Sequence, residues 1–208
     1  MRPLCLYVDA QFTSPYAMSV FVTLQEKGLA FDTVPVDLDT AQQHAAGFAE
    51  LSVTQRVPTL VEGDFALSES SAITEYLDQV YPETPVYPAD AKQRARARQV
   101  QAWLRSDLLP IRQERSTLVV FYGVKMPPLS PVAQTAARKL IGAAQVLLAG
   151  NKAYLFGEWS IADVDLAVML NRLILNGDEV PADLVGYARR QWQRPSVQAW
   201  VNLPRPAL

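Results

Sequence analysis

Residues 56 to 80 read RVPTLVEGDFALSESSAITEYLDQV. Two short apolar runs, VPTLVE and FALSE, flank Gly63-Asp64, a pair suited to a tight hairpin turn. In the stretch that follows, Ile73, Tyr76, Leu77 and Val80 recur at spacings of three and four, one apolar stripe along a helix. The expectation is strand, strand, helix, a unit whose helix opens directly after the hairpin on Glu69 and Ser70.

Toward the N-terminus the grammar alternates. PLCLYV (3–8) reads as a strand, 15–27 as a helix closed by Gly28, and FDTVPVDL (31–38) as a second strand rich in β-branched residues. AQQHAAGFAEL (41–51) is weakly helical. The order becomes βαβαββα, a small mixed sheet with helices. Toward the C-terminus, PETPVYPAD (82–90) holds three prolines in nine positions and can continue neither helix nor strand, so it marks a boundary. Three segments are expected: 1–81 as the mixed domain, 82–90 as linker, and 91–208 as an all-helical domain.

In that last segment, AKQRARARQVQAWLRSDLLPIRQER (91–115) carries a stripe of Val100, Trp103, Leu104, Leu108 and Ile111, with a kink expected at Pro110. Arginines 94, 96 and 98 repeat every second residue, which scatters them around a helix as solvated or salt-bridged surface. PVAQTAARKLIGAAQVLLAG (131–150) is a second helix. SIADVDLAVMLNRLIL (160–175) is a third, apolar nearly all round, hence the expected centre of a bundle. VPADLVGYARRQW and PSVQAWV add shorter helices.

Composition narrows the chemistry. The 208 residues are 50% hydrophobic, enough for a sizeable core, and 19 basic against 21 acidic side chains leave a net charge of -2. That balance offers no electrostatic footprint for a nucleic acid. No apolar stretch reaches the roughly 18 to 20 residues of a membrane span, and the N-terminus lacks a signal-peptide core, so a cytoplasmic protein without a membrane partner is expected. The one cysteine, Cys5, lies mid-strand and is expected as a buried structural thiol. The one histidine, His44, has no second His or Cys at metal-ligand spacing, so no metal site is expected. Nucleotide-binding patterns of the GxGxxG or P-loop kind do not occur.

A hydroxyl stands at the first strand–helix turn, in FTSPYAMSV (12–20). Ser14 suits the N-cap of a helix whose first residue is Pro15. It equally suits a hydroxyl facing a ligand at the tip of the turn, and the local residues alone leave both roles open.

Three marks together resemble the glutathione S-transferase family: RVPTL (56–60), SESSAI (68–73) and GEWSIADVDLA (157–167). In the last, Ser160 and Asp163 form a capping box, with Trp159 and Val164 at the hydrophobic-staple positions. The resemblance spans nearly the whole chain and implies a thioredoxin-like N-terminal domain followed by a C-terminal helical bundle. It also implies a cis bond before Pro58, and glutathione as co-substrate with no bound cofactor. RARARQVQAWLRSDLLPIR and LFGEWSIADVDLAVMLNRL look closest to a bacterial branch.

The resemblance assigns roles residue by residue. Ser14 stands where serine-type members place the hydroxyl that favours the glutathione thiolate, with Thr13 and Tyr16 as rivals. Cysteine-type members carry a thiol at that turn, but its flanking residues here are Phe12, Thr13 and Pro15. Ser70 suits the γ-glutamyl carboxylate and Glu69 the amine; Val57 suits backbone pairing with the cysteinyl unit, and Arg56 the glycine carboxylate. Trp103 and Tyr122 are aromatic candidates for the second substrate, or else core residues. The implied activity is glutathione transfer to an electrophile or reduction of an organic peroxide, in a homodimer. The alternative is a non-catalytic binding or regulatory protein on the same fold.

Overall fold

The structure is a computed structural model that describes residues 3–208. The chain forms two units, one of residues 3–86 with Gln198–Leu208, the other Tyr87–Val197.

In the first unit, β1 (Leu4–Asp9), α1 (Pro15–Glu26), β2 (Phe31–Val36), a 3-10 turn at Gln42–His44, α2 (Ala46–Leu51), β3 (Thr59–Glu62), β4 (Phe65–Ser68) and α3 (Ser70–Val80) follow the expected order. The sheet runs β2-β1-β3-β4, with β1 parallel to β2 and both other pairings antiparallel. This is the thioredoxin-like arrangement. Strand alternation explains its layers: Leu4, Leu6 and Val8 are buried, while Cys5 and Tyr7 point to the other face, where Tyr7 meets Phe48 of α2 edge-on at 5.6 Å. Cys5 is therefore half-buried rather than buried, because its strand position gives it the less covered face. Met18, Val20, Phe21, Val22 and Leu24 of α1, with Ile73 and Leu77 of α3, complete the core. Each such side chain contributes about 1.5–3 kcal/mol on burial.

The expected α3 stripe holds at Ile73 and Leu77 but not at Val80, which is exposed. Asp78 takes the inward position one residue past Leu77. Its carboxylate accepts from the Lys27 ammonium at 3.0 Å and from the Val86 N–H at 2.8 Å. Lys27 also donates to the Tyr81 and Thr84 carbonyls at 2.9 and 2.7 Å, so a buried ion pair with its protons satisfied ties residues 81–86 to α1 and α3. Tyr76 turns its hydroxyl to Glu62 at 2.6 Å, and Tyr81 donates to the same carboxylate at 2.7 Å. That bond and its negative partner push the Tyr81 phenol up to about 12.

The C-terminal residues contribute to this unit as well. Trp200, fully buried, packs edge-on against Phe21 at 5.2 Å and Phe12 at 5.9 Å. Residues 198–208 thus group with the mixed sheet, whereas the helical reading of the chain after the linker placed them in the 91–208 segment. Aromatic packing, which has no sequence-local signature, makes the difference.

The second unit is helical: α4 (Ala91–Ser106), α5 (Leu109–Glu114), α6 (Thr117–Phe121), α7 (Pro131–Leu147), α8 (Ile161–Ile174) and α9 (Ala182–Trp192), with α10 (Pro195–Val201) closing the series. The helix expected to kink at Pro110 instead breaks. Asp107 ends α4, Leu108 adopts φ 60, and Pro110 falls in the first turn of α5, where its missing N–H costs nothing. The Asp107 carboxylate caps the break, accepting from Lys139, the Leu108 N–H and the Trp103 indole, which together hold it down at about 2.

Helix α8 is buried at every position but Asp165 and Ile174, as its all-round apolar sequence implies. Its capping box is formed. Asp163, fully buried, accepts from the Ser160 N–H at 2.9 Å, the Ser160 hydroxyl at 3.0 Å, the Leu155 N–H at 2.8 Å and the Tyr187 hydroxyl at 2.8 Å. Burial pushes this carboxyl up and the four donated bonds pull it down; burial is the larger influence. Trp103 and Tyr122 are half-buried residues of this unit, neither one part of its core. Arg94 lies over the Tyr87 ring at 5.1 Å, Arg96 donates to Gln99, and Arg98 is exposed.

Candidate active site

One end of the sheet collects the residues singled out in the N-terminal half. The register pairs Tyr7 of β1 with Thr59 of β3, and Thr59 with Ser68 of β4. Because β3 runs against both neighbours, the exit of β1, the entry to β3 and the exit of β4 share that end. The chain leaving β1 reaches Ser14, the chain entering β3 carries Arg56 and Val57, and the chain leaving β4 reaches Glu69 and Ser70.

The Ser14 turn is built by Asp9, a buried residue at the end of β1. One Asp9 oxygen accepts from the Thr13 N–H at 2.6 Å and the Thr13 hydroxyl at 2.9 Å; the other accepts from the Ser14 N–H at 3.0 Å. Ser14 then caps α1. Its backbone is extended (φ -67, ψ 115), Pro15 follows in the first turn, and its Oγ accepts from the Ala17 N–H at 3.2 Å. A hydroxyl carries two acceptor lone pairs and one donor hydrogen. Capping uses a lone pair, and the Ser14 hydrogen meets no acceptor among the described residues. Thr13 differs, because its hydrogen goes to Asp9. No acidic residue sits within the first turn of α1, and the Asp9 carboxylate just ahead of it is engaged by the Thr13 and Ser14 N–H groups. Tyr16, half-buried, already lies on the helix.

The other residues lie at the same end of the sheet. Arg56 has an exposed side chain, while its carbonyl accepts from Thr59 Oγ1 at 2.9 Å, folding the loop back on β3. The Val57–Pro58 bond is cis. The β3 ladder begins at Thr59, which leaves the Val57 backbone outside it. Glu69 is exposed and adopts φ 73, ψ 109, a conformation costing of order 1–3 kcal/mol for a residue with a side chain. Ser70, buried, is the first residue of α3, whose N-terminus receives no side-chain cap and has no acid in its first turn. Its first N–H groups are therefore oriented to receive an anion. His44 sits apart, its Nδ1 2.7 Å from Gln55 Oε1, and no cluster of metal-ligating side chains occurs among the described residues.

Two participants escaped the sequence reading. Asp9 had a usable signal, an acid closing an apolar strand five residues before the serine. Arg205 had none. It donates to the Phe12 carbonyl from the far end of the chain, 193 residues away.

Residues 11–85 match the glutathione S-transferase N-terminal domain and residues 90–205 match the C-terminal domain of the same family. A glutathione transferase homolog from Burkholderia GL BGR1, solved with bound glutathione, is 46% identical and superposes with a TM-score of 0.78, covering 96% of each chain. Glutathione S-transferase theta-3 of Mus musculus is 34% identical over 168 residues, 76% of this chain and 68% of its own length. The theta class glutathione S-transferase of Xanthomonas axonopodis pv. citri shares the fold, with a TM-score of 0.78 at 23% identity over 98% of this chain and 99% of that one. The chain belongs to the glutathione S-transferase family.

Proposed function

We propose that this glutathione transferase ionises the thiol of bound glutathione through the hydroxyl of Ser14, as a serine-type enzyme. An ordinary thiol with a pKa near 8.5 is only a few per cent thiolate at neutral pH. A hydroxyl donating to sulfur and the positive end of α1 both favour the charged form. The observation that carries this reading is the free hydrogen of Ser14: the cap role consumes a lone pair, so capping and catalysis coexist in one side chain.

The other residues at that end of the sheet suit the tripeptide. The uncapped start of α3 with the Ser70 hydroxyl takes the γ-glutamyl carboxylate, and Glu69 takes the amine. The Val57 backbone extends the sheet edge to the cysteinyl unit, and Arg56 takes the glycine carboxylate. The strained backbone of Glu69 supports this assignment, since such conformations concentrate where a side chain must be presented to a ligand. The second substrate is an electrophilic carbon compound or an organic peroxide, and one thiolate serves both. Two sequence stretches, in α4–α5 and around α8, favour the bacterial YfcF branch of the family. No helix among the described residues is long and apolar enough to cross a membrane, in keeping with a cytoplasmic enzyme. Family habit favours a homodimer of about 46 kDa, twice the 23.0 kDa chain. Light scattering at micromolar concentration should show that mass, and a monomer alone would exclude it.

The deciding experiment is Ser14→Ala. Stability should fall by about 1 kcal/mol as the cap is lost. Thiolate absorbance of the enzyme–glutathione complex, titrated with pH, should show the thiol pKa rising toward that of free glutathione, with conjugation slowed at neutral pH. An unmoved thiol pKa with activity retained would return Ser14 to a capping role alone.

A further inference from the structure

The peptide plane just ahead of the Ser14 turn is gripped at both ends. The N–H of the Phe12–Thr13 peptide donates to Asp9 at 2.6 Å. Its carbonyl receives two donors from one guanidinium, Arg205 Nε at 3.3 Å and Nη2 at 3.1 Å. A peptide is rigid across these atoms, so holding both ends fixes the rotation of the plane and with it the direction in which Thr13 and Ser14 leave it. The grip matters because Phe12 sits at φ 52, in the left-handed region that residues with a side chain seldom adopt. Released, it would tend to leave.

Arg205 is itself well anchored. Its Nη1 donates to the Val201 and Leu203 carbonyls at 2.7 and 3.1 Å, and Nη2 also to the Trp200 carbonyl at 3.0 Å. One guanidinium thus closes the end of the C-terminal helix and clamps the catalytic turn of the same unit, while the Trp200 ring lies edge-on to Phe12 at 5.9 Å. Charge-assisted bonds of this kind are about twice as strong as neutral ones, and the planar fork satisfies several carbonyls at once, which an ammonium does not do as well.

We infer that Arg205 is a positioning residue for thiol activation: it locks the Phe12–Thr13 peptide and thereby aims the Ser14 hydroxyl. This rests on Ser14 being the thiol's donor. Arg205 touches neither glutathione nor the reacting sulfur in this assignment; it acts only through the backbone it holds.

The test uses Arg205→Met, which keeps the apolar stem and deletes the donors, with Arg205→Lys as the conservative variant and Ser14→Ala alongside. In Arg205→Met the pKa of the bound glutathione thiol should rise, cutting the thiolate fraction at neutral pH by a factor that approaches about tenfold per unit of rise once the pKa lies above the working pH. The fall should appear in kcat more than in the KM for glutathione, and activity should recover at alkaline pH, where the thiol ionises unaided. Arg205→Lys should fall between wild type and Arg205→Met. Combining Arg205→Met with Ser14→Ala should raise the pKa no further than Ser14→Ala alone. A thiol pKa unmoved in Arg205→Met but raised in Ser14→Ala would overturn the role of Arg205 while leaving that of Ser14 standing. An unmoved pKa in Ser14→Ala would overturn both. Should Arg205→Met not fold, Arg205→Lys against wild type decides by the same pKa: raised supports the clamp, unchanged rejects it.

Discussion

Helices α1 and α8 begin alike and end up with different work. Each is capped by a serine, Ser14 in one and Ser160 in the other, and each cap is organised by a buried aspartate that gathers nearby N–H groups. The hydroxyl hydrogens part ways. Ser160 donates its hydrogen to Asp163 at 3.0 Å, so the group is closed within the fold. At α1 the aspartate takes the neighbouring threonine's hydrogen instead, at 2.9 Å, and the Ser14 hydrogen meets no acceptor among the described residues, which leaves it for the sulfur in the function proposed above. The position of the acid decides this. Asp163 lies three residues into its helix, facing back on the cap, whereas Asp9 lies five residues before Ser14, at the end of a strand, and reaches Thr13 first. A serine N-cap is thus structural or chemical according to where its single hydrogen goes, and its helix position does not settle that.

The sharpest way to break the comparison is at Asp163. Replacing it with alanine leaves the Leu155 and Ser160 N–H groups as buried donors without their acceptor, and the Tyr187 hydroxyl with only its longer 3.4 Å bond to the carbonyl of residue 163. The expected loss is about 3–5 kcal/mol, well above that of an ordinary cap, because several buried polar groups are orphaned at once. Ser160→Ala removes only one donor and should cost about 1 kcal/mol. In folded protein neither change should move the thiol pKa of bound glutathione. Urea denaturation gives the stabilities. An Asp163→Ala variant as stable as wild type would show that the closed network contributes nothing.

The sequence disclosed the elements and the cap positions, because hydrophobic period, proline, glycine and serine act over a few residues. The hairpin at Gly63-Asp64, the order βαβαββα and the Ser160–Asp163 box all belong to that class. What stayed hidden was long-range or depended on direction. The clamp of Arg205 on Phe12 joins residues 193 apart, and the break at Leu108 turns on an aspartate reached by Lys139 from another helix. Val80 continued the stripe on paper, yet the inward position went to Asp78, whose partner Lys27 lies 51 residues earlier. Arg56, Val57, Glu69 and Ser70 were legible as a group only through the family resemblance, since strand register gathers them at one sheet end and no local pattern records it.

Thr13 offers the finest test of the difference between the two caps. Its hydroxyl stands one residue from Ser14 and is a rival donor on sequence grounds. Thr13→Val deletes that hydroxyl at nearly constant shape and leaves the Thr13 backbone bond to Asp9 in place. The stability cost should be small, roughly 0.5–1.5 kcal/mol for one hydrogen bond whose acceptor keeps other donors. The thiol pKa should stay where it is. The reason lies in the single hydrogen: the Asp9 carboxylate orients it by a charge-assisted bond, so Thr13 presents only lone pairs to a thiolate, and those repel it. Measured beside Ser14→Ala, the pair separates a hydroxyl that is near the sulfur from one that donates to it. A rise in the thiol pKa of Thr13→Val equal to that of Ser14→Ala would mean that the two hydroxyls act together, and that Asp9 does not hold the threonine's hydrogen when glutathione is bound.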